Sequence, residues 1–574
     1  MGLMRWWRSG RARALLASPW WRGAAALLAG ALPALAFPAP GLWWFAYVAL
    51  VPWLLLARGA PTARRAALDG WLGGTGFVLA VHHWLLPSLH VFLLPLAALL
   101  GALWIPWGML ARHLLAGSPG PGRAAWALLV LPSGWLLSEL ARSWQGLGGP
   151  WGLLGASQWQ VPAARRLASV GGVWLVSAVV VAVNCAWVLL LAREPGPGPR
   201  GRRTATVGLG GVTACAVLTG AVWAWAPRPE VSGLVRVALV QPGMIDGPDA
   251  ADVRFAAQER LTRQLVGTHP DLVVWGESSV GADLAARPDL ARRLARLSAE
   301  VGAPLLVNVD ARRSDRPGIF KSSVLVGPSG PTGQRYDKMR LVPFGEYVPA
   351  RSLLGWATSV GRAADEDRRR GSAQVVMRLP ARAAGQDGAG GAGRSAGAPR
   401  ADARPGTGTT PGTAPDTAPA AGLPVGPLVC FESAFPDMSR RLARDGAALL
   451  VAQSATSTFQ DSWAPAQHAS LAALRAAETG RPFVHATLTG VSVVRGPGGE
   501  QIGARLGTDR RAAAVYDVPL AHGTTLYVRL GDWVPYGALL VLVALCGREA
   551  LRTVRPLRPP APALPAPPVR TARG

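Results

Sequence analysis

The first 227 residues carry one apolar stretch after another, and a chain patterned this way has few folds open to it. The stretches lie near 23–39, 41–57, 68–86, 91–111, 124–140, 168–192 and 206–226, and another lies near 530–547. A helix needs about 20 apolar residues to cross a bilayer, so several of these are short and their ends are soft. In lipid each backbone polar group must find its partner inside the structure, which favours helices. The pattern predicts a seven-span α-helical membrane domain over 23–227 and a C-terminal transmembrane helix over 530–547. The 24 Trp against 6 Tyr, many near the ends of apolar runs, suit rings seated at headgroup level.

Loop charge predicts the orientation. Arg58, Arg64 and Arg65 follow the second span, Arg112 and Arg123 the fourth, and Arg193, Arg200, Arg202 and Arg203 the sixth. The links after spans one and three carry no Lys or Arg. Basic loops mark the cytoplasmic side, so residues 1–22 are expected to be a basic cytoplasmic N-terminus and residues 548–574 a basic, Pro-rich cytoplasmic tail. Arg142, Arg165 and Arg166, after span five, dissent. No small-residue cleavage site follows the first span, so it reads as a retained anchor rather than a signal peptide. The protein is thus expected to be multi-pass in the plasma membrane, with residues 228–529 on the outer face. The net charge of +26 does not point to nucleic acid, because much of the Arg flanks apolar spans or lies in the tails and no nucleic-acid motif accompanies it.

Residues 228–529 have a different texture. Strand-like runs at 235–241, 272–275, 304–309, 320–326, 427–429 and 448–452 alternate with helical patterns near 252–265, 288–301 and 465–479. The run 481–495, followed by Gly496-Pro497-Gly498-Gly499, reads as two strands closing in a turn. This alternation predicts a layered α/β sandwich. Within it, 383–423 is dominated by Gly, Ala, Pro and Thr and has too little apolar surface to offset its ordering entropy, so it reads as a disordered insertion. Leu353, Leu354 and Trp356 read either as core or as an arm dipping into the bilayer.

Three motifs carry chemistry. Val273-Val274-Trp275-Gly276-Glu277 ends an apolar run on a carboxylate, and Leu428-Val429-Cys430-Phe431-Glu432-Ser433 ends another on a thiol. Between them lies Lys338, one of only two lysines among 59 basic residues, the other being Lys321. Arg is a wide planar fork and Lys a compact point charge, so a Lys kept against this bias marks a position that Arg would not serve. A carboxylate whose pKa is raised by burial could take the thiol proton, and a fixed cation could lower the thiol pKa and hold an oxyanion. Taken singly, Cys430 also reads as a structural thiol, Glu277 as a solvated strand end and Lys338 as a loop charge; their joint appearance points to a Glu-Lys-Cys set. His468, with Arg475 and Glu478 on the same helical pattern, has no second His at metal spacing and reads as structural. Cys185, Cys215 and Cys546 fall in apolar spans and read as core residues.

On these motifs residues 234–517 resemble the carbon–nitrogen hydrolase (nitrilase-like) superfamily. With the membrane spans, the chain resembles the apolipoprotein N-acyltransferase family over about residues 20–550. The segment from Lys338 to Pro349, the Cys430-Phe431-Glu432-Ser433 motif, Gln241-Pro242, and Gly149-Pro150-Trp151-Gly152 with Gln158 carry the resemblance. It implies an αββα nitrilase-like sandwich with Glu277 as general base, Lys338 as oxyanion stabiliser and Cys430 as nucleophile. It also implies Glu346 as a second active-site carboxylate, and Phe431 and Glu432 as substrate-binding residues shaping the site, with no cofactor and no metal. The implied reaction passes an acyl chain from a phospholipid through a Cys430 thioester to the α-amino group of a diacylglyceryl-apolipoprotein, the last step of lipoprotein maturation. Phe431, Gln453-Ser454-Ala455 and Thr487-Leu488-Thr489-Gly490 depart from the family pattern. The alternatives are a membrane-tethered amidase releasing its acyl group to water, and a transporter or scaffold whose outer domain only binds.

Overall fold

The computed structural model describes residues 10–191, 199–355, 366–380 and 422–554. All of the expected insertion except Gly422 and Leu423 lies outside these residues, as do Trp356, the first basic residues and the tail beyond Val554.

Among the described residues, five helical segments are long and apolar enough to cross a membrane: His83–Leu115, Pro121–Arg142, Pro162–Leu191, Gly201–Trp225 and Trp533–Leu551. The first three expected spans are also helical, but shorter or more polar. Pro19–Ala31 passes into a 3-10 turn at Leu32–Ala36, Val51–Arg58 has eight residues, and Ala63–Val81 carries Arg64, Arg65 and Asp69. These helices meet through glycine. A Cβ on Gly30 would sit 1.8 Å from the Gly73 carbonyl oxygen, and one on Gly76 would sit 1.9 Å from that of Leu27, so only hydrogen at these positions permits the approach. Asp69 is fully buried and receives Arg22 Nε at 3.0 Å and Arg65 Nε at 2.9 Å. The Glu139 carboxylate accepts the Leu154 amide at 2.6 Å. Asp69 and Glu139 thus fix these helices to their neighbours.

The remainder is built from two six-stranded sheets. The first runs in the order β12 (Ala512–His522), β1 (Glu230–Gln241), β2 (Leu272–Trp275), β3 (Leu305–Arg312), β4 (Ile319–Gly327), β5 (Gly330–Asp337). The second runs β11 (Gln501–Leu506), β10 (Ser492–Arg495), β9 (Phe483–Thr487), β8 (Leu449–Ser454), β7 (Pro424–Val429), β6 (Met377–Arg378). β1, β2 and β3 pair in parallel, as do β7, β8 and β9, and the other pairings within each sheet are antiparallel. Their facing sides form one core, with Val237, Leu239 and Val274 packed with Val429, Val451 and Val484. Gln241 and Gln453 satisfy backbone across it. Gln241 Nε2 reaches the Gly507 carbonyl at 2.7 Å, and Gln453 Nε2 reaches those of Trp275 at 2.9 Å and Leu306 at 3.0 Å.

The helices Ala250–Arg263 and Pro288–Val301 cover the first sheet, where Leu290, Leu294, Leu297 and Val301 form the buried stripe that the 3.6-residue period dictates. Pro436–Arg444 and Ala464–Thr479 cover the second, completing the αββα sandwich, and their core is continuous with that of the membrane helices. Two expectations need adjustment. The Gly496–Gly499 turn joins β10 to β11, whereas β9 and β10 are joined by residues 488–491. Gly422 and Leu423, expected within the insertion, pair with Leu379, Leu379 N to Leu423 O at 3.1 Å and Gly422 N to Leu379 O at 2.8 Å, and so extend the β6–β7 pairing.

Two of the three dissenting arginines have tertiary work. Arg165 Nε donates to the Gly498 carbonyl at 3.0 Å, Arg166 donates to the carbonyls of Ala226 and Pro227, and Arg142 is buried. Charge spent on such contacts is not loop charge in the topological sense.

Candidate active site

Glu277, Lys338 and Cys430 follow β2, β5 and β7 respectively. Gly276 sets the first. A Cβ there would lie 2.0 Å from the Leu488 amide nitrogen, so the strand end passes directly against backbone, and Glu277 N then donates to the Ser454 carbonyl at 3.1 Å. Gly276→Ala is expected to displace Glu277 and cost roughly 10²-fold in acyl-transfer rate, as misplacement by about 1 Å does. Rate and thermal unfolding measured together would check this, because a folded protein with full activity would contradict it.

Cys430 sits at φ +48 in the turn between β7 and the 3-10 helix Cys430–Ala434, a conformation uncommon outside glycine. Glu432 holds this turn in place. Its carboxylate accepts the amides of Val429 (2.8 Å), Met339 (2.7 Å) and Arg340 (3.0 Å) and the Tyr336 hydroxyl (2.7 Å). It is fully buried, and these bonds tie the cysteine turn to the strand that delivers Lys338. His468 closes the other side, with Nε2 2.8 Å from Ser433 Oγ and 3.2 Å from the Cys430 carbonyl. Burial pushes its imidazole down to about 4, so the ring is neutral near pH 7.

Lys338 is buried, and its ammonium lies 2.8 Å from Glu346 Oε1 and 3.2 Å from Glu277 Oε1. The segment after it is a tight return. Phe344 takes φ +63, Glu346 N donates to Val342 O at 2.9 Å, and Glu346 Oε2 accepts Val342 N at 2.8 Å. That turn brings Glu346 back onto Lys338, eight residues earlier.

The sequence reading missed the fourth charge. Lys321, on β4, places its ammonium 2.8 Å from Glu277 Oε1 and 2.9 Å from Glu346 Oε1. Lys338 is therefore not singular, since both lysines of the chain converge on one pair of carboxylates. The signal was in the composition, where Lys321 shared the rarity of Lys338.

This arrangement reverses the expected electrostatics. Burial opposes charge on Glu277, but the ammonium groups of Lys321 and Lys338 outweigh it and hold the carboxyl at about 2. Burial pushes the Cys430 thiol up to about 12, and the Glu277 carboxylate adds to this against the two lysines. Burial opposes the Lys338 charge, yet Glu277 and Glu346 keep it above the usual lysine range. The resting site is thus a neutral thiol, its Sγ directed to the Ala455 carbonyl at 3.9 Å, near an ionised Glu277 that is held by two fixed cations.

The membrane helices reach the same place. Gly149, at φ +72, packs on Phe431 and Phe435, where a Cβ would lie 2.7 Å from each ring. Phe431 is buried in this contact, its ring 4.9 Å from Phe435. Trp151 meets His468 at 5.1 Å, and Trp84 Nε1 donates to Gln467 Oε1 at 3.2 Å. Arg475 donates to the Ala434 carbonyl at 2.9 Å and to Glu478, whose carboxylate accepts the Val173 amide at 2.8 Å beside the break at Gly171–Gly172.

Two family profiles match the chain in series. One, described as the apolipoprotein N-acyltransferase N-terminal domain, covers residues 29–186, and the other, carbon–nitrogen hydrolase, covers residues 236–525, half of the chain. The apolipoprotein N-acyltransferase of Allorhizobium ampelinum is 30% identical over 575 residues, spanning 94% of this chain and 98% of that one. The chain belongs to the apolipoprotein N-acyltransferase family. The family member of Geobacter metallireducens is 29% identical over 548 residues, covering 91% of this chain and 95% of that relative. Among solved structures, an amidase from Nesterenkonia is 17% identical with a TM-score of 0.31, covering 51% of this chain and 92% of that one. As an apolipoprotein N-acyltransferase, the protein is a multi-span membrane acyltransferase on a carbon–nitrogen hydrolase fold.

Proposed function

We propose that this family member carries out N-acylation of lipoproteins in two steps through a thioester on Cys430, with a membrane phospholipid as donor and the diacylglyceryl-cysteine amine of an apolipoprotein as acceptor. The observation that carries the reading is the buried Glu277–Lys338–Glu346 cluster against the Cys430 turn, at a face packed on membrane helices.

In the first step Sγ attacks the ester carbonyl of the donor while Glu277 takes the thiol proton. A resting thiolate is disfavoured when the thiol sits near 12 and its base near 2, so proton transfer accompanies C–S bond formation and the charge develops on the substrate oxygen. Protonation removes the charge on Glu277 that held Lys338, and this releases the ammonium toward the new oxyanion. Collapse expels the lysophospholipid oxygen, which takes the proton from Glu277. In the second step the acceptor amine attacks the thioester, Glu277 takes an N–H proton, and the sulfur leaves and is reprotonated. Glu346 holds Lys338 between steps. Glu432 acts by fixing the turn rather than by touching substrate, and Phe431 joins that turn to the membrane domain.

Transfer and hydrolysis are distinguished by the fate of the acyl group. Incubation with labelled phospholipid alone is expected to give one lysophospholipid per enzyme and then stop, with turnover resuming when a diacylglyceryl lipopeptide is added. Continuous release of free fatty acid without acceptor would instead establish the amidase-like reading.

The orientation is part of the proposal, with residues 228–529 on the outer face and Arg64 and Arg65, at the start of the helix Ala63–Val81, in the cytoplasm. Impermeant thiol labelling of intact cells is expected to reach a cysteine at Asp509, which is 78% exposed, but not one at Arg64. Labelling at Arg64 alone would invert it.

A further inference from the structure

Both lysines of this chain bind the same oxygen of the same carboxylate. Lys338 reaches Glu277 Oε1 at 3.2 Å and Lys321 reaches it at 2.8 Å, while Glu346 Oε1 accepts the pair at 2.8 and 2.9 Å. One lysine would suffice to neutralise a base, and two carboxylates sharing two ammoniums form a square of alternating charge. Lys321 lies on β4 opposite Asp310, whose carboxylate is 3.8 Å from its ammonium and receives the Ser278 hydroxyl at 3.1 Å. Arg368 approaches Asp310 at 3.5 Å from the far side. Lys321 is thus anchored within β4 by Asp310, whereas Lys338 emerges at the end of β5.

We infer that Lys321 is a positioning residue for the acyl transfer, fixing Glu277 and Glu346 in place so that Lys338 can leave them for the oxyanion. This rests on the reading of Glu277 as base. Without Lys321, Lys338 would be the only ammonium left for both carboxylates, and once Glu277 is protonated it could turn to substrate only by leaving Glu346 a buried anion without a counter-ion, a costly state.

The groups facing Glu277 are Lys321, Lys338, Glu346 and Cys430, with His468 acting on it at longer range. In the native site the carboxyl stays ionised throughout the neutral range, so thioester formation is expected to be level from about pH 8 to about pH 5. Removing one cation raises the pKa of the acid beside it, so the base becomes protonated at higher pH and an acid limb enters the measurable range.

The test uses the full-length protein in phospholipid vesicles and reads the rate of thioester formation against pH for Lys321→Met and Lys321→Arg. Lys321→Met is expected to lower kcat about tenfold or more with KM for phospholipid within about twofold, and to lose further rate as pH falls toward 5. Lys321→Arg, which keeps the charge, is expected to restore the level profile. A level profile with near-native rate in Lys321→Met would overturn the inference, as would equal losses in both variants with level profiles, the mark of packing alone. If Lys321→Met fails to fold, Lys321→Gln takes its place. Failure of both neutral variants beside a folded Lys321→Arg would make Lys321 a stability residue and also overturn the inference. Glu277→Gln in the same assay separates the two levels: activity there removes the base assignment itself, whereas its loss beside an unshifted Lys321→Met removes only the role of Lys321.

Discussion

Cys430→Ala is expected to abolish acyl transfer, by at least about 10⁴-fold, while leaving the protein folded and inserted. The side chain is small, so the substitution removes little more than the sulfur. The turn that carries it is held by groups that alanine leaves in place: the four bonds to Glu432 and the His468 contact to the residue 430 carbonyl. Because the resting sulfur is a neutral thiol, the variant also leaves no buried charge uncompensated. Transfer of labelled acyl chain to a lipopeptide, read beside the unfolding temperature, checks both halves. Substantial transfer by a folded Cys430→Ala protein would mean that another group attacks the ester.

Lys338→Arg is expected to be nearly as damaging, with a loss of about 10²–10³-fold, although the charge is kept. The ammonium sits in a fully enclosed space bounded by Glu277, Glu346 and, beyond them, Lys321. A guanidinium is wider, binds carboxylates through a planar fork and would remain on Glu277 and Glu346 instead of turning to a single oxyanion. The expected signature is a loss in kcat with donor KM little changed, since the missing interaction belongs to the transition state. Near-native kcat in Lys338→Arg would show that charge alone is required and that point geometry is not.

The elements legible from sequence were those whose burial leaves a periodic trace. The helix Pro288–Val301 lies where its Leu290, Leu294, Leu297 and Val301 stripe placed it, and β2 where its unbroken apolar run did. Strand β5 left no such trace. Gly330-Pro331-Thr332-Gly333-Gln334-Arg335 reads as turn and loop, and only pairing with β4 at the sheet edge makes it a strand. β12 was hidden similarly, because its Ala512-Ala513-Ala514 start has no strand preference until it pairs with β1.

At the site, the three motifs were readable because each ends a run on a reactive residue, but their mutual electrostatics were not. The raised base expected from its motif gave way to a lowered one once Lys321 joined Lys338 beside it, and burial together with the Glu277 carboxylate raised the thiol against both lysines. Sequence showed Lys321 as the other rare lysine without showing that β4 lies beside β3 and β5 with its residue 321 turned to the same carboxylates. Glu432 was legible as a neighbour of the nucleophile, but not as the link to Tyr336 and Met339, which come from a motif about 95 residues earlier in the chain. Contacts of that separation are set by topology, which local pattern does not encode.

Passage of the acyl chain through Cys430 underlies both steps of the transfer. It is tested most directly by incubating the protein with a phospholipid of known chain composition in the absence of acceptor, digesting it under mildly acidic conditions and weighing the peptide that contains Cys430. The expected result is a mass increase equal to one acyl group of that phospholipid, removed by hydroxylamine and lost when a diacylglyceryl lipopeptide is added before digestion. An unmodified Cys430 peptide from an enzyme that goes on to acylate lipopeptide at full rate would contradict it.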